Sequence, residues 1–445
     1  MNRLKPDTFF YHIYPLGAFG APKKNDFKSS PEDRLKMLSE WGGHMADIGA
    51  DALYLGPVFE STAHGYDTAD YYNVDRRLGN NESLKREIEN LRQKGISVVL
   101  DAVFNHCGRD CFIFKNILEK GEASEYKDWI KGVDFSRRSP LNDRFTYSAW
   151  NGCYDLAAFN HDNPKVTEYL LKAAEFWMNE FKPAGLRLDT ADVLSQDFMA
   201  KLRKRIPDAW LLGEVIHGDY RKWACDEKLD SVTNYEVYKG LYSSHNDINY
   251  FEIAYSLNRQ FGESGIYKNL QLYNFADNHD VNRIGSMLDC FHDIYPLYLL
   301  LFTVPGMPSV YYGSESGVPG KKGPADDYGI RQQINPRQIK GDLSREVKKL
   351  AEVRKKVRAL QEGGYTQLHV NHKQFAFMRT IENQSAVVAV NSDTNPVKLH
   401  LNLPQKCADK KFYDVLNNGE VFQLKGRVLE IDKLWGSWGR VLVCD

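Results

Sequence analysis

Paired cysteine motifs are missing from this chain of 445 residues. Its seven cysteines are odd in number and scattered, and the closest pair, Cys107 and Cys111, lacks CxxC spacing and a companion histidine cluster. No HExxH motif occurs either. These absences argue against a disulfide-stapled secreted fold and against a zinc centre, and they predict reduced thiols in a cytoplasmic protein. A surplus of charge is also missing, since 58 Lys and Arg face 59 Asp and Glu. That balance gives no reason to expect nucleic acid or an anionic membrane as partner, and the short basic run Lys321-Lys322 reads as a solvated loop. The longest apolar run, Tyr295 to Val310, is broken by Pro296, Pro305 and Pro308, so it is too short and too interrupted for a membrane span. Near the N-terminus Pro6, Asp7 and His12 break the apolar stretch, which predicts a first buried strand rather than a signal peptide and a soluble, unexported chain. Internal repeats and low-complexity tracts are absent as well.

What is present is a rhythm. Short apolar runs rich in β-formers recur at Thr8–Pro15, Ala50–Val58, Ile96–Val103, Gly185–Ala191, Ala209–Val215, Ser231–Val237, Leu272–Asp280 and Pro308–Glu315. Amphipathic helical patterns lie between them, such as Pro31–Ile48 and Ser83–Lys94, the latter stopped by Gly95. Eight strand–helix alternations predict a TIM (β/α)8 barrel. A doubly wound open sheet is the competitor, but the turn Tyr14-Pro15-Leu16-Gly17-Ala18-Phe19-Gly20 is a poor phosphate loop. The third and fourth runs are far apart, which leaves room for a small domain inserted after strand 3 over residues 107–160. The barrel then comprises residues 1–106 and 161–363. From residue 364 to 445 the pattern changes to alternation, as in Gln374–Thr380, Ser385–Val390 and Val397–Leu401, and predicts a C-terminal antiparallel β-sandwich domain.

Polar residues at the C-terminal ends of barrel strands face the active site of such a fold. Four strands end in unusual clusters: Asp101 to His106, Arg187 to Thr190, Gly213-Glu214 and Asp277 to Arg283. One carboxylate of this kind is unremarkable as a salt-bridged barrel residue, whereas four clusters on one barrel are not.

These stretches, DAVFNH, GLRLDTADV, GEVIHG and FADNHD, resemble in order and separation the signature regions of the alpha-amylase family of retaining glycoside hydrolases. HGYDTADYYNVD, DLAAFNHDNPKV and VYYGSE resemble further family segments. The resemblance covers the barrel and insert. It implies Asp189 as nucleophile, Glu214 as general acid/base and Asp280 as a third carboxylate that holds sugar hydroxyls. Arg187, two residues before Asp189, points to the same side of its strand and is expected to keep Asp189 ionised. Asp101, His106, His279 and the stacking aromatic Tyr66 are expected around the cleaved sugar, with Asp327 and Arg331 gripping the next one.

Departures bear on substrate. Asp192-Val193 stands where many endo-acting amylases have Lys-His, and Thr190 follows the nucleophile as in maltase-like members. The expectation is therefore a cytoplasmic hydrolase of α-1,4 bonds in short or cyclic α-glucan oligosaccharides, in the style of cyclomaltodextrinases, maltogenic amylases, neopullulanases or α-glucosidases. A transglycosylase of the same fold is the alternative. A non-catalytic relative is disfavoured because all three carboxylates are kept. Asn105 resembles a calcium ligand of some relatives, but no further ligands are evident, so no metal site is assigned and no cofactor is expected to be required. The sequence leaves the oligomeric state open.

Overall fold

The computed structural model describes residues 4–324 and 326–444. Eight parallel strands form the central sheet: β1 (Phe10–Ile13), β2 (Ala52–Leu55), β3 (Ser97–Ala102), β4 (Gly185–Leu188), β5 (Trp210–Gly213), β6 (Ser231–Val232), β7 (Tyr273–Phe275) and β8 (Met307–Tyr311). Their order is β7-β8-β1-β2-β3-β4-β5-β6. A parallel bridge between Thr233 and Tyr273 brings β6 against β7 and draws the sheet into a barrel. The expected alternation is present, with shorter strands.

The differences have local causes. The sixth strand was expected to run to Val237, but the Asn234 side chain accepts the Val237 amide and starts a helix, Tyr235–Asn246. The eighth was expected to reach Glu315. It ends at Tyr311 because Gly313, at φ +84°, turns the chain into a short 3-10 turn. The expected helix Ser83–Lys94 runs from Asn81 to Gln93, with Asn80 and Ser83 forming a capping box and Gly95 at φ +80° just past its end.

Successive side chains of a strand point to opposite faces. Tyr11, Leu53, Val98, Leu100, Leu186 and Leu211 join the large core under the surrounding helices. Phe10, Tyr54, Val99, Leu212, Tyr273 and Phe275 form a separate core inside the barrel. The inward set continues by twos to His12 on β1, Asp101 on β3, Arg187 on β4 and Glu214 after β5. The same alternation that fills the barrel thus delivers polar groups to its C-terminal mouth.

Between β3 and β4 the chain leaves the barrel. Strands His106–Gly108, Ala149–Trp150 and Cys153–Ala158 make a three-stranded antiparallel sheet, accompanied by helix Phe112–Lys120.

After the barrel come β9 (Gly364–Val370), β10 (Gln374–Thr380), β11 (Ser385–Asn391), β12 (Val397–Asn402), β13 (Lys411–Asp414), β14 (Val421–Gln423), β15 (Val428–Leu434) and β16 (Trp438–Cys444). They form an antiparallel six-stranded sheet, β9-β10-β11-β16-β13-β14, and the pair β12-β15. Ala376, Met378, Val387 and Ala389 pack on Leu399, Leu401 and Ile431 of the small sheet. Phe375, Phe377, Val388 and Val390 face the barrel core instead. They meet helix Ile294–Thr303, which is apolar all round because the barrel covers one side and the sandwich the other. This is the helix of the longest apolar run. No helix among the described residues is long and apolar enough to cross a membrane. Buried Arg379 ties the domains together by donating to the carbonyls of Thr303, Leu360 and Gly363.

Candidate active site

A cleft of about 1440 Å³ opens at the C-terminal end of the barrel, between the strand termini and the insert. Asp189, Glu214, Asp280 and Tyr66 line its floor, Trp150 and Phe159 come from the insert and Asp327 and Arg331 from the loop after β8. The structure therefore brings into one place residues that the sequence separates by up to 265 positions, from Tyr66 to Arg331.

Arg187 organises the floor. Its Nη1 donates to Asp189 Oδ1 at 2.8 Å and to Asp101 Oδ1 at 3.0 Å, and its Nη2 lies 2.9 Å from Glu214 Oε2. The guanidinium is 3% exposed, so water does little to screen these contacts. One cation faces three carboxyl groups. Burial accordingly pushes Asp189 well above the ordinary carboxylate range, with Arg187 opposing and the charges of Glu214 and Asp101 adding to the rise. Glu214 is raised too, first by burial, against the pull of Arg187 and with Asp280 adding. Arg187 stands beside Asp189 as expected from the sequence, but burial opposes it and is the larger influence. The charge of Arg187 is shared with Asp101 and Glu214.

Asp280 has the opposite environment. Burial works against its charge, but His279 Nε2 at 2.8 Å and Arg331 Nη2 at 2.8 Å hold it well below the usual range. Arg331 also reaches Asp327 at 3.0 Å, and Lys322 meets Asp327 at 3.3 Å. Two carboxyls shifted upward beside one shifted downward are the kind of divergence that separates acid–base roles.

The aromatic side of the cleft is a hydrogen-bonded stack. Tyr66 lies nearly parallel to His279, with ring centroids 5.3 Å apart, and its hydroxyl bonds His279 Nε2 and, at 2.9 Å, Asp101 Oδ2. His106 Nε2 meets the Tyr66 carbonyl at 3.1 Å. Burial lowers His106 to about 3, so it is neutral and donates through this nitrogen. Asn105 donates Nδ2 to His106 Nδ1 at 3.3 Å. Among the described residues no group of three or more His, Cys, Asp or Glu is placed to hold a metal ion.

Thr190, immediately after Asp189, adopts φ +44°, a left-handed conformation rare for a β-branched residue. The amides of Val193 and Leu194 fix it by donating to its carbonyl, and its own amide donates to Glu214 Oε2 at 2.9 Å. Strain of this kind, about 1–3 kcal/mol in general, gathers where geometry is held for function.

Sequence reasoning did not single out Tyr54, Tyr14 or Tyr235. Tyr54 donates to Asp101 at 2.6 Å, the Tyr14 ring lies 4.7 Å from the Arg331 guanidinium carbon, and Tyr235 reaches toward Glu214. For Tyr54 a signal existed, since it continues the inward row of β2. Tyr14 and Tyr235 follow strand ends whose turns carry no such signal.

Comparison with known proteins agrees with this architecture. Residues 43–392 match the family described as alpha amylase, catalytic domain. The chain is 31% identical to a cyclomaltodextrinase of Geobacillus thermopakistaniensis (strain MAS1), over 95% of its own length and 74% of that protein. It is 29% identical to a maltogenic alpha-amylase of Bacillus acidopullulyticus, over 96% of this chain and 76% of that one. A solved cyclomaltodextrinase structure superposes with a TM-score of 0.86 at 26% identity, covering 99% of this chain and 79% of that one. The chain belongs to the alpha-amylase family of glycoside hydrolases.

Proposed function

We propose that the protein hydrolyses α-1,4-glucosidic bonds in short or cyclic malto-oligosaccharides with retention of configuration, through a covalent glycosyl-enzyme on Asp189. The observation that carries this reading is the floor of the cleft, where Asp189 and Glu214 share one buried guanidinium. Glu214 protonates the departing glycosidic oxygen while Asp189 attacks the anomeric carbon from the other face. The C–O bond to the leaving sugar breaks as the ester to Asp189 forms. Glu214, now ionised, takes a proton from water, and the resulting nucleophile releases the sugar as the α-anomer. Asp280, kept ionised by His279 and Arg331, holds hydroxyls of the cleaved sugar and favours positive charge at its ring. Tyr66 supplies the stacking face, and Asp327 with Arg331 grips the next unit. On this reading no cofactor is required for the chemical steps. The seven free cysteines suit a reducing, cytoplasmic location.

The names of the relatives support the substrate class. So does the cleft: Asp192 and Val193 line its rim where a Lys-His pair would serve a long acceptor chain. A second reading, transfer of the glycosyl unit to another sugar, is favoured by one feature. Val193 and Ile216 line the cleft yet remain 61% and 42% exposed, which offers an apolar surface to an acceptor. A panel of maltotriose, cyclodextrins, pullulan, isomaltose and soluble starch tests both. Maltotriose or cyclodextrins are expected to exceed starch in kcat/KM, with rates unchanged by a chelator. Faster turnover of starch overturns the size preference, and longer products at high maltotriose concentration favour transfer.

A further inference from the structure

The two oxygens of Glu214 have different neighbours. Oε2 accepts from the Thr190 amide at 2.9 Å and lies 2.9 Å from Arg187 Nη2. Both partners can only donate, so a proton on Glu214 has no place on Oε2 and resides on Oε1. The hydroxyl facing Oε1 is that of Tyr235, at 3.5 Å. The other side of this hydroxyl is already used: Asn278 Nδ2 donates to it at 3.4 Å. The orientation of Asn278 is fixed independently, because its Oδ1 accepts the Asp280 amide at 2.8 Å. The hydrogen of Tyr235 is therefore left to point at Oε1.

We infer that Tyr235 is a positioning residue for the reaction, whose hydroxyl holds Oε1 of Glu214 when that oxygen has given up its proton. The inference rests on Glu214 being the general acid/base. The Tyr235 ring is set by packing edge-on to Phe275 at 5.0 Å and to Tyr238 at 5.9 Å, and by the helix that Asn234 caps. The other charged groups around Glu214 come from two strands: Arg187 and Asp189 from β4, and His279 and Asp280 from the end of β7. Arg187 acts through Oε2. Tyr235 acts on the oxygen that carries the proton.

The two halves of the reaction then use Tyr235 differently. In the first, Oε1–H goes to the glycosidic oxygen, and Tyr235 keeps its own hydrogen. Once the leaving sugar departs, Oε1 is charged and accepts from Tyr235 until water returns a proton. A distance of 3.5 Å is long for this bond, as expected before substrate closes a site. A donor to the charged form favours that form. Removing the hydroxyl makes Glu214 keep its proton to higher pH.

Tyr235→Phe tests this, since the ring and its packing stay. The pH profile of kcat/KM on maltotriose is measured for wild type, Tyr235→Phe and Glu214→Gln. The basic limb of Tyr235→Phe is expected to move upward by about half a unit or more, with the acid limb in place. A basic limb at the wild-type position overturns the inference, including the case where the rate drops evenly at every pH, which is what loss of packing alone gives. Glu214→Gln separates the two claims. If it erases the basic limb while Tyr235→Phe does not move it, only the role of Tyr235 falls. If Glu214→Gln keeps the limb, the reading of Glu214 falls and takes that of Tyr235 with it.

Discussion

Glu214→Gln is expected to lose about 10²–10⁴-fold in kcat/KM on maltotriose, the range that general acid catalysis supplies. The loss should shrink on an aryl α-glucoside whose phenolate departs without a proton. Bond breaking no longer needs the acid there, and only the second half of the reaction is slowed. Azide should then restore turnover and yield an α-glycosyl azide, because it attacks the glycosyl-enzyme without help from a base. Asp189→Asn should behave differently. The carbon–oxygen bond to the enzyme is lost with either leaving group, so both substrates suffer alike, and any azide product carries inverted configuration. Equal loss of Glu214→Gln on both substrates, with no response to azide, would remove Glu214 from the role assigned to it.

Arg187→Leu should be the most damaging change outside the carboxylates. Arg187 is buried and touches Asp101, Asp189 and Glu214 at 2.8–3.0 Å. Removing one partner of a buried ion cluster typically costs about 3–5 kcal/mol, because the remaining charges are stranded. Activity should fall by at least about 10³-fold, since the nucleophile loses the cation that favours its ionised form. The stability loss should depend on pH in a fixed direction. A carboxyl whose folded-state pKa is raised carries no penalty below its unfolded value of about 4 and its full penalty above the folded one. Asp189 and Glu214 are already raised, and losing Arg187 raises them further. Urea denaturation should show the deficit against wild type growing as pH rises from about 4 toward neutrality. A deficit that is the same at both ends would mean that lost packing, and not stranded charge, is the cause.

Much of this site is legible in the sequence because a barrel strand has a simple rule. Inward residues recur by twos, so Arg187 and Asp189, or Leu212 and Glu214, belong to one row. Clusters at strand ends then point at one mouth. The sharing of Arg187 among three carboxyls is not legible, since it depends on how β3, β4 and β5 lie side by side. Nor is the φ of +44° at Thr190, because no local rule puts a β-branched residue in that region. In the C-terminal domain, alternation reveals strands but understates their burial. Every residue of Ser385–Asn391 is buried, and the near-continuous apolar run in that segment was the sign that both faces are covered.

The identity of the residue that bonds to the sugar can be read directly. Incubation with a fluorinated glycosyl fluoride, which forms the glycosyl-enzyme quickly and releases it slowly, followed by proteolysis and mass spectrometry, locates the attached sugar. The expected result is a glycosyl group on the peptide containing Asp189, lost in Asp189→Asn, together with the α-anomer as first product from an ordinary substrate. A sugar attached at Glu214 or Asp280, or a first product in the β-configuration with no adduct, would contradict the mechanism.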